Sequence, residues 1–165
     1  YLINNYPIRW MYTGMIFYWV TCFQCAIQAT LTAQKLIHFT DWVVGHAHLV
    51  MFGVFSFWLI GIITELWPRL TGKEWYSQNL HGWAYWLNTL GLTIMFIDLV
   101  IAGVMQGFTW WGLSPFMDSV WFSVPFWFVR TLSGLMIIAG VVCFVYNLYM
   151  TARAEKVYAH KPSMA

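Results

Sequence analysis

Trp42-Val43-Val44-Gly45-His46-Ala47-His48-Leu49-Val50-Met51-Phe52-Gly53 sets two imidazoles two residues apart in an apolar run that continues to Trp67. A run of that length crosses a bilayer as a helix. Imidazoles are costly in hydrocarbon, so a pair of them there points to function. Side chains on an α-helix turn by ~100° per residue, which puts His46 and His48 ~200° apart, on nearly opposite faces. A single zinc or copper ion held by one helix wants ligands at i and i+4, on the same face. The i, i+2 pair instead suits two centres, one on each side. A planar haem against each face, with one histidine as its axial ligand, fits that geometry. The competing role is hydrogen-bonded glue between helices. Small Gly45 and Ala47 beside the pair, and Gly53 below it, favour haem.

The elements that must hold such a pair follow from composition. The 165 residues are 61% hydrophobic and 8% charged, against about 25% charged in a soluble domain, and the mean hydropathy is +0.63. This is the composition of an integral membrane protein, not of a soluble enzyme or a nucleic-acid binder. Twelve tryptophans and an aromatic content of 21% suit interfacial anchoring and flat packing surfaces. The first residue is Tyr1 and no signal-peptide pattern follows, so the chain reads as a processed product or a portion of a longer polypeptide.

Four apolar segments are each long enough to span: about 10–33, 42–67 (closed by Pro68), 84–107 and 123–150. Backbone in lipid must satisfy itself, so all four are expected to be helices. The expected fold is all-α and polytopic, a single membrane region with a tail over 151–165. Arg9, Arg69, Lys73, Arg153, Lys156 and Lys161 fall on one side of the four spans and only Lys35 on the other. The positive-inside rule then places both termini in the cytoplasm. His46 lies about four residues, ~6 Å, from the outer end of its segment, so the pair sits in the outer part of the membrane.

Other polar residues have plainer readings beside functional ones. Asp98 lies about nine residues (~13 Å) and Arg130 about seven (~10 Å) from the outer ends of their segments. They are placed to form an ion pair. Arg130 is equally suited to hold an anion such as a haem propionate with its planar fork. Thr40 or Asp41 is placed to cap the second helix. His38 and Asp41 also stand where propionates would emerge. Gln24 and Gln28, at i and i+4, read as interhelical glue, and Glu65 reaches the interface. His81 and His160 read as solvated. Cys22, Cys25 and Cys143 read as packing residues, because Cys22-Phe23-Gln24-Cys25 has no further cysteines to complete a metal site.

His38-Phe39-Thr40-Asp41-Trp42-Val43-Val44-Gly45-His46-Ala47-His48 resembles the catalytic subunit I of haem–copper oxidases, most closely the cbb3 type. Ala102-Gly103-Val104-Met105-Gln106-Gly107, Phe126-Trp127-Phe128-Val129-Arg130-Thr131-Leu132-Ser133-Gly134 and Tyr146-Asn147-Leu148-Tyr149-Met150-Thr151 also resemble that branch. The resemblance covers nearly the whole chain but only about the C-terminal third of such a subunit. It implies that the four helices form part of a larger oxidase bundle. It implies that His46 is the axial ligand of the high-spin haem b3 and His48 one axial ligand of haem b, with Arg130, His38 and Asp41 near the propionates. It further implies an oxidoreductase of the bacterial inner membrane that passes electrons from membrane-anchored c-type cytochrome subunits to dioxygen.

Departures are present. Gln24 stands where the family usually has glutamate, and Asp98 where it is usually apolar. The family's copper B ligands, active-site tyrosine and second haem b ligand lie in helices with no counterpart here, so copper would be held by ligands outside this chain. Two other readings stay open: a portion of a nitric oxide reductase, which shares the His-x-His pair, and a haem-free structural or assembly subunit.

Overall fold

The structure, a computed structural model, describes residues 5–154. Its elements run α1 Tyr6–Gln28, α2 Leu31–Ile37, α3 Asp41–His48, a π-helical stretch Leu49–Ser56, α4 Phe57–Thr71, α5 Gln78–Trp111 and α6 Phe116–Arg153. No strand occurs among the described residues. The α3–π–α4 run is one continuous span, Asp41–Thr71. With α5 and α6 it makes three helices long and apolar enough to cross a membrane, or four if the bent pair α1–α2 is one more.

Boundaries differ from the apolar runs for local reasons. The run over 10–33 is not one helix: α1 stops at Gln28 and the chain turns by 101° into α2. Thr30 makes the break by accepting from Ala33 N at 3.3 Å, which caps α2. Its hydroxyl also donates to the Ile27 carbonyl at 2.8 Å. Pro68 does not close the second run, since α4 passes it and ends at Thr71. Gly72 stops it instead, at φ 65°, the left-handed conformation that glycine adopts freely. Both α5 and α6 begin earlier than the apolar runs over 84–107 and 123–150, α5 behind the Ser77 cap and α6 behind Pro115. At the other end of α6, helix persists to Arg153, three residues into the stretch read as tail. Residues 155–165, including His160, lie outside the described residues.

Hydrogen bonds gather the basic residues at one end. Lys73 Nζ donates to the Ala152 carbonyl at 2.6 Å, and Tyr76 N to Thr151 Oγ1 at 3.0 Å. Ser77 N donates to Asn147 Oδ1 at 3.0 Å, and Asn147 Nδ2 returns a bond to the Ser77 carbonyl at 2.9 Å. His81 belongs to this end and is not solvated. It is 1% exposed, stacked on Tyr6 at 5.3 Å and edge-on to Trp75 at 4.3 Å. The surrounding rings hide it because α5 begins three residues ahead of it, which turns it inward.

The core lies between α1, α4 and α5. Trp10 is fully buried and meets Phe57 and Tyr85 edge-to-face at 4.7 and 5.2 Å. Edge-to-face pairs of this kind add about 0.5–1.5 kcal/mol beyond area burial. Inside the same core the hydroxyls of Thr13 and Tyr85 share a hydrogen bond of 2.7 Å, which satisfies two polar groups that would otherwise be costly there. On the outside, large residues such as Trp19, Phe23, Trp121 and Phe128 stay exposed.

Candidate functional site

The end opposite the basic residues is built by a tight approach of α2 and α3 to α5. A Cβ on Gly103 would lie 1.9 Å from Trp42 N and 2.5 Å from Trp42 Cα. One on Gly107 would lie 2.1 Å from the Leu36 carbonyl oxygen. Only hydrogen-sized side chains permit this contact. Phe39 holds the turn between α2 and α3 at φ 64°, a conformation unusual for a bulky residue. Thr40 is the cap of α3, its Oγ1 accepting from Trp42 N at 3.3 Å.

Asp41 is a clamp across three helices. Its Oδ2 accepts from Gln106 Nε2 on α5 at 2.7 Å and from Trp127 Nε1 on α6 at 2.9 Å. Its backbone N–H donates to Gln106 Oε1 at 2.8 Å. Gln106 Nε2 also donates to Ser123 Oγ at 2.9 Å. A satisfied network of this kind fixes one relative placement of its helices. A cavity of about 340 Å³ opens beside it, lined among others by Asp41, Gln106, Trp110 and Trp127.

With α3 so fixed, the histidines take defined directions. His46 faces α1: its Nδ1 lies 3.0 Å from Gln24 Oε1 and its Nε2 3.6 Å from Cys25 Sγ. The Trp42 ring, one turn earlier, stacks on it at 5.6 Å and 9°. His48 is turned ~200° from it about the helix axis. Its Nδ1–H donates to the Val44 carbonyl at 2.8 Å, and that is the one hydrogen bond its side chain makes among the described residues. Both rings are half-buried. The π-helical stretch begins at the next residue, a widening often found beside functional sites.

Metal-ligating histidines commonly donate one ring N–H to a carbonyl or carboxylate, which fixes tautomer and ring plane and leaves the other nitrogen as ligand. His48 has that arrangement, with Nε2 unpartnered. His46 has it through the Gln24 amide oxygen, with only a weak thiol contact at Nε2. The two residues therefore fit an axial haem ligand each. Among the described residues no group of three His, Cys, Asp or Glu comes close enough to hold a bare metal ion.

The remaining candidates are not all brought together. His38 is exposed, with Nδ1 3.2 Å from Gln34 Oε1. Arg130 is half-buried on α6, and its side chain makes no hydrogen bond or ion pair among the described residues. The Asp98–Arg130 ion pair is absent; among the described residues the ion pair is Arg69 with Glu65. Asp98 is 8% exposed and one of its oxygens is sealed without a partner. Similar depth does not make two side chains point at each other, and these do not meet. Residue type alone does not single out Gln106, Trp127 and Ser123. The Met105-Gln106-Gly107 match is the one signal that could have marked Gln106.

Comparison with known proteins places this arrangement in context. Residues 2–136 match the family described as cytochrome C and quinol oxidase polypeptide I. A cytochrome c oxidase subunit 1 homolog of Agrobacterium tumefaciens (strain T37) is 31% identical over 87% of this chain and 28% of its own length. The Cbb3-type cytochrome c oxidase subunit CcoN1 of Stutzerimonas stutzeri is 29% identical over 90% of this chain and 33% of its own. A nitric oxide reductase subunit of the same organism is 26% identical over 74% of this chain and 28% of its own. A heme-copper terminal oxidase dimer solved by cryo-EM superposes with a TM-score of 0.78 at 20% identity, covering 94% of this chain and 28% of that one. The chain thus spans no more than about a third of the length of these relatives.

Proposed function

The chain belongs to the cytochrome c and quinol oxidase polypeptide I family, and from that membership we propose that it is the haem-binding part of a cbb3-like terminal oxidase subunit I. The observation that carries this reading is the pair of opposed histidines whose Nδ1 atoms are each tied to a carbonyl oxygen, Gln24 Oε1 at 3.0 Å and Val44 O at 2.8 Å. Each ring thereby keeps Nε2 as its donor atom. In the proposal His46 holds haem b3 and His48 holds haem b. Arg130, unpaired on α6, and His38 and Asp41, at the head of α3, attend the propionates.

When bound, the haems supply electron transfer from a c-type cytochrome and, with copper B held by residues outside this chain, reduction of dioxygen to water. This chain's residues orient the two rings, separate them on opposite faces of one helix, and seal the space between α3 and α5 against water. The exposed apolar faces of α1 and α6 are covered by lipid and by further helices of subunit I. The site end faces the periplasm of a bacterial inner membrane, and the basic end, with the C-terminus, faces the cytoplasm.

The nitric oxide reductase relative favours one second reading, the same haem pair beside non-haem iron. Metal analysis separates the two in the isolated membrane complex that contains this chain. The oxidase reading expects copper in the complex and dioxygen uptake driven by reduced c-type cytochrome. Non-haem iron without copper, with nitric oxide consumption, would replace it with the reductase reading.

A further inference from the structure

Gln24 sits on α1, half-buried, with its amide oxygen 3.0 Å from His46 Nδ1. With the oxygen as acceptor, Nδ1 carries the proton and Nε2 is the free donor. Trp42 stacked at 9° fixes the ring plane on the other side of the contact. Among the described residues no acidic or basic side chain hydrogen-bonds to His46; its partners are the Gln24 amide and the Cys25 thiol. The ring is therefore held by a neutral acceptor.

The charge of that acceptor matters to any metal on Nε2. A carboxylate in its place would draw the Nδ1 proton, give the ring imidazolate character and strengthen it as a donor. A strong anionic donor stabilises ferric iron; a neutral one leaves the reduced state favoured. We infer that Gln24 is a positioning residue that gives His46 a neutral hydrogen-bond acceptor and thereby sets the reduction potential of the iron it ligates above the value a carboxylate at this position would give. The inference rests on His46 being an iron ligand. Gln24 acting only as interhelical glue would leave the iron's electronics alone.

The test uses the assembled membrane complex containing the full chain, as wild type, Gln24→Glu and Gln24→Met. Methionine keeps an unbranched side chain of similar length without an amide acceptor. Two readouts are taken on the CO-reactive haem: its midpoint potential and its iron–imidazole stretching band. Gln24→Glu is expected to shift the one-electron equilibrium toward ferric iron about tenfold, about 59 mV, and to raise the stretching frequency. Gln24→Met is expected to move both in the opposite direction by less. Three coinciding potentials overturn the inference, and so does an order that does not follow acceptor charge. If Gln24→Glu does not assemble, Gln24→Met against wild type decides, since an unchanged potential there is also contradictory. His46→Ala distinguishes the two layers. If that variant keeps the CO-reactive haem, the ligand reading fails; if it loses it while the Gln24 series stays flat, only the role of Gln24 fails.

Discussion

His46→Ala is expected to abolish the CO-reactive haem and leave the second haem in place, and His48→Ala to do the reverse. The expectation follows from geometry before family. The rings leave one helix ~200° apart, and one points at α1 while the other is tied only to its own backbone. Two centres that share no ligand lose occupancy independently. Altering an outer-shell partner of a metal ligand already costs about 10–100-fold in affinity or activity. Removing the ligand itself should lower occupancy of its own haem by more than about tenfold, read by pyridine haemochrome and CO-difference spectra. Parallel loss of both haems in both variants would contradict independent sites. It would fit a helix that merely needs its histidines to assemble.

The second large effect concerns packing. Gly103→Ala places a methyl 1.9 Å from Trp42 N and 2.5 Å from Trp42 Cα. The obstructing atoms are backbone, so no rotamer change relieves the clash, and α3 must move off α5. Overpacking commonly costs about 1–3 kcal/mol, and a backbone collision belongs at the upper end. A loss of ~3 kcal/mol lowers the apparent melting temperature of the complex, and the Asp41–Gln106–Trp127 clamp is pulled apart. Gly134→Ala is the control, since its new methyl would meet only Met95 Cε at 3.5 Å. It should leave melting unchanged to within about 0.5 kcal/mol. Equal behaviour of the two variants would mean that the close approach does not govern stability.

The apolar runs are legible in the sequence because lipid leaves a helix as the available answer for each. The turn at Ala29–Thr30 is not, since one threonine hydroxyl chooses between continuing a helix and capping the next. Pro68 misleads in the other direction, because a proline inside a helix kinks or ends it only where its context allows, and here the stop comes at Gly72. His81 reads as a loop residue when helix α5 is started at Ala84, and its burial becomes visible only once the helix begins at Gln78. At the site, the opposed directions of His46 and His48 follow from helical periodicity alone. That Gln24 meets His46 does not, because which face of α1 turns toward α3 is settled by packing far away, around Trp10, Phe57 and Tyr85. The absent Asp98–Arg130 pair teaches the same lesson: equal depth is legible, direction is not.

The most direct measurement is a reduced-minus-oxidised optical spectrum of the purified complex that contains this chain, repeated after adding CO. Two b-type haems are expected, of which one shifts with CO and the other does not. His46 would hold the haem that reacts with CO, and His48 the haem that only transfers electrons. Two haems that both bind CO, or no haem at all, would contradict the assignment of one haem to each histidine.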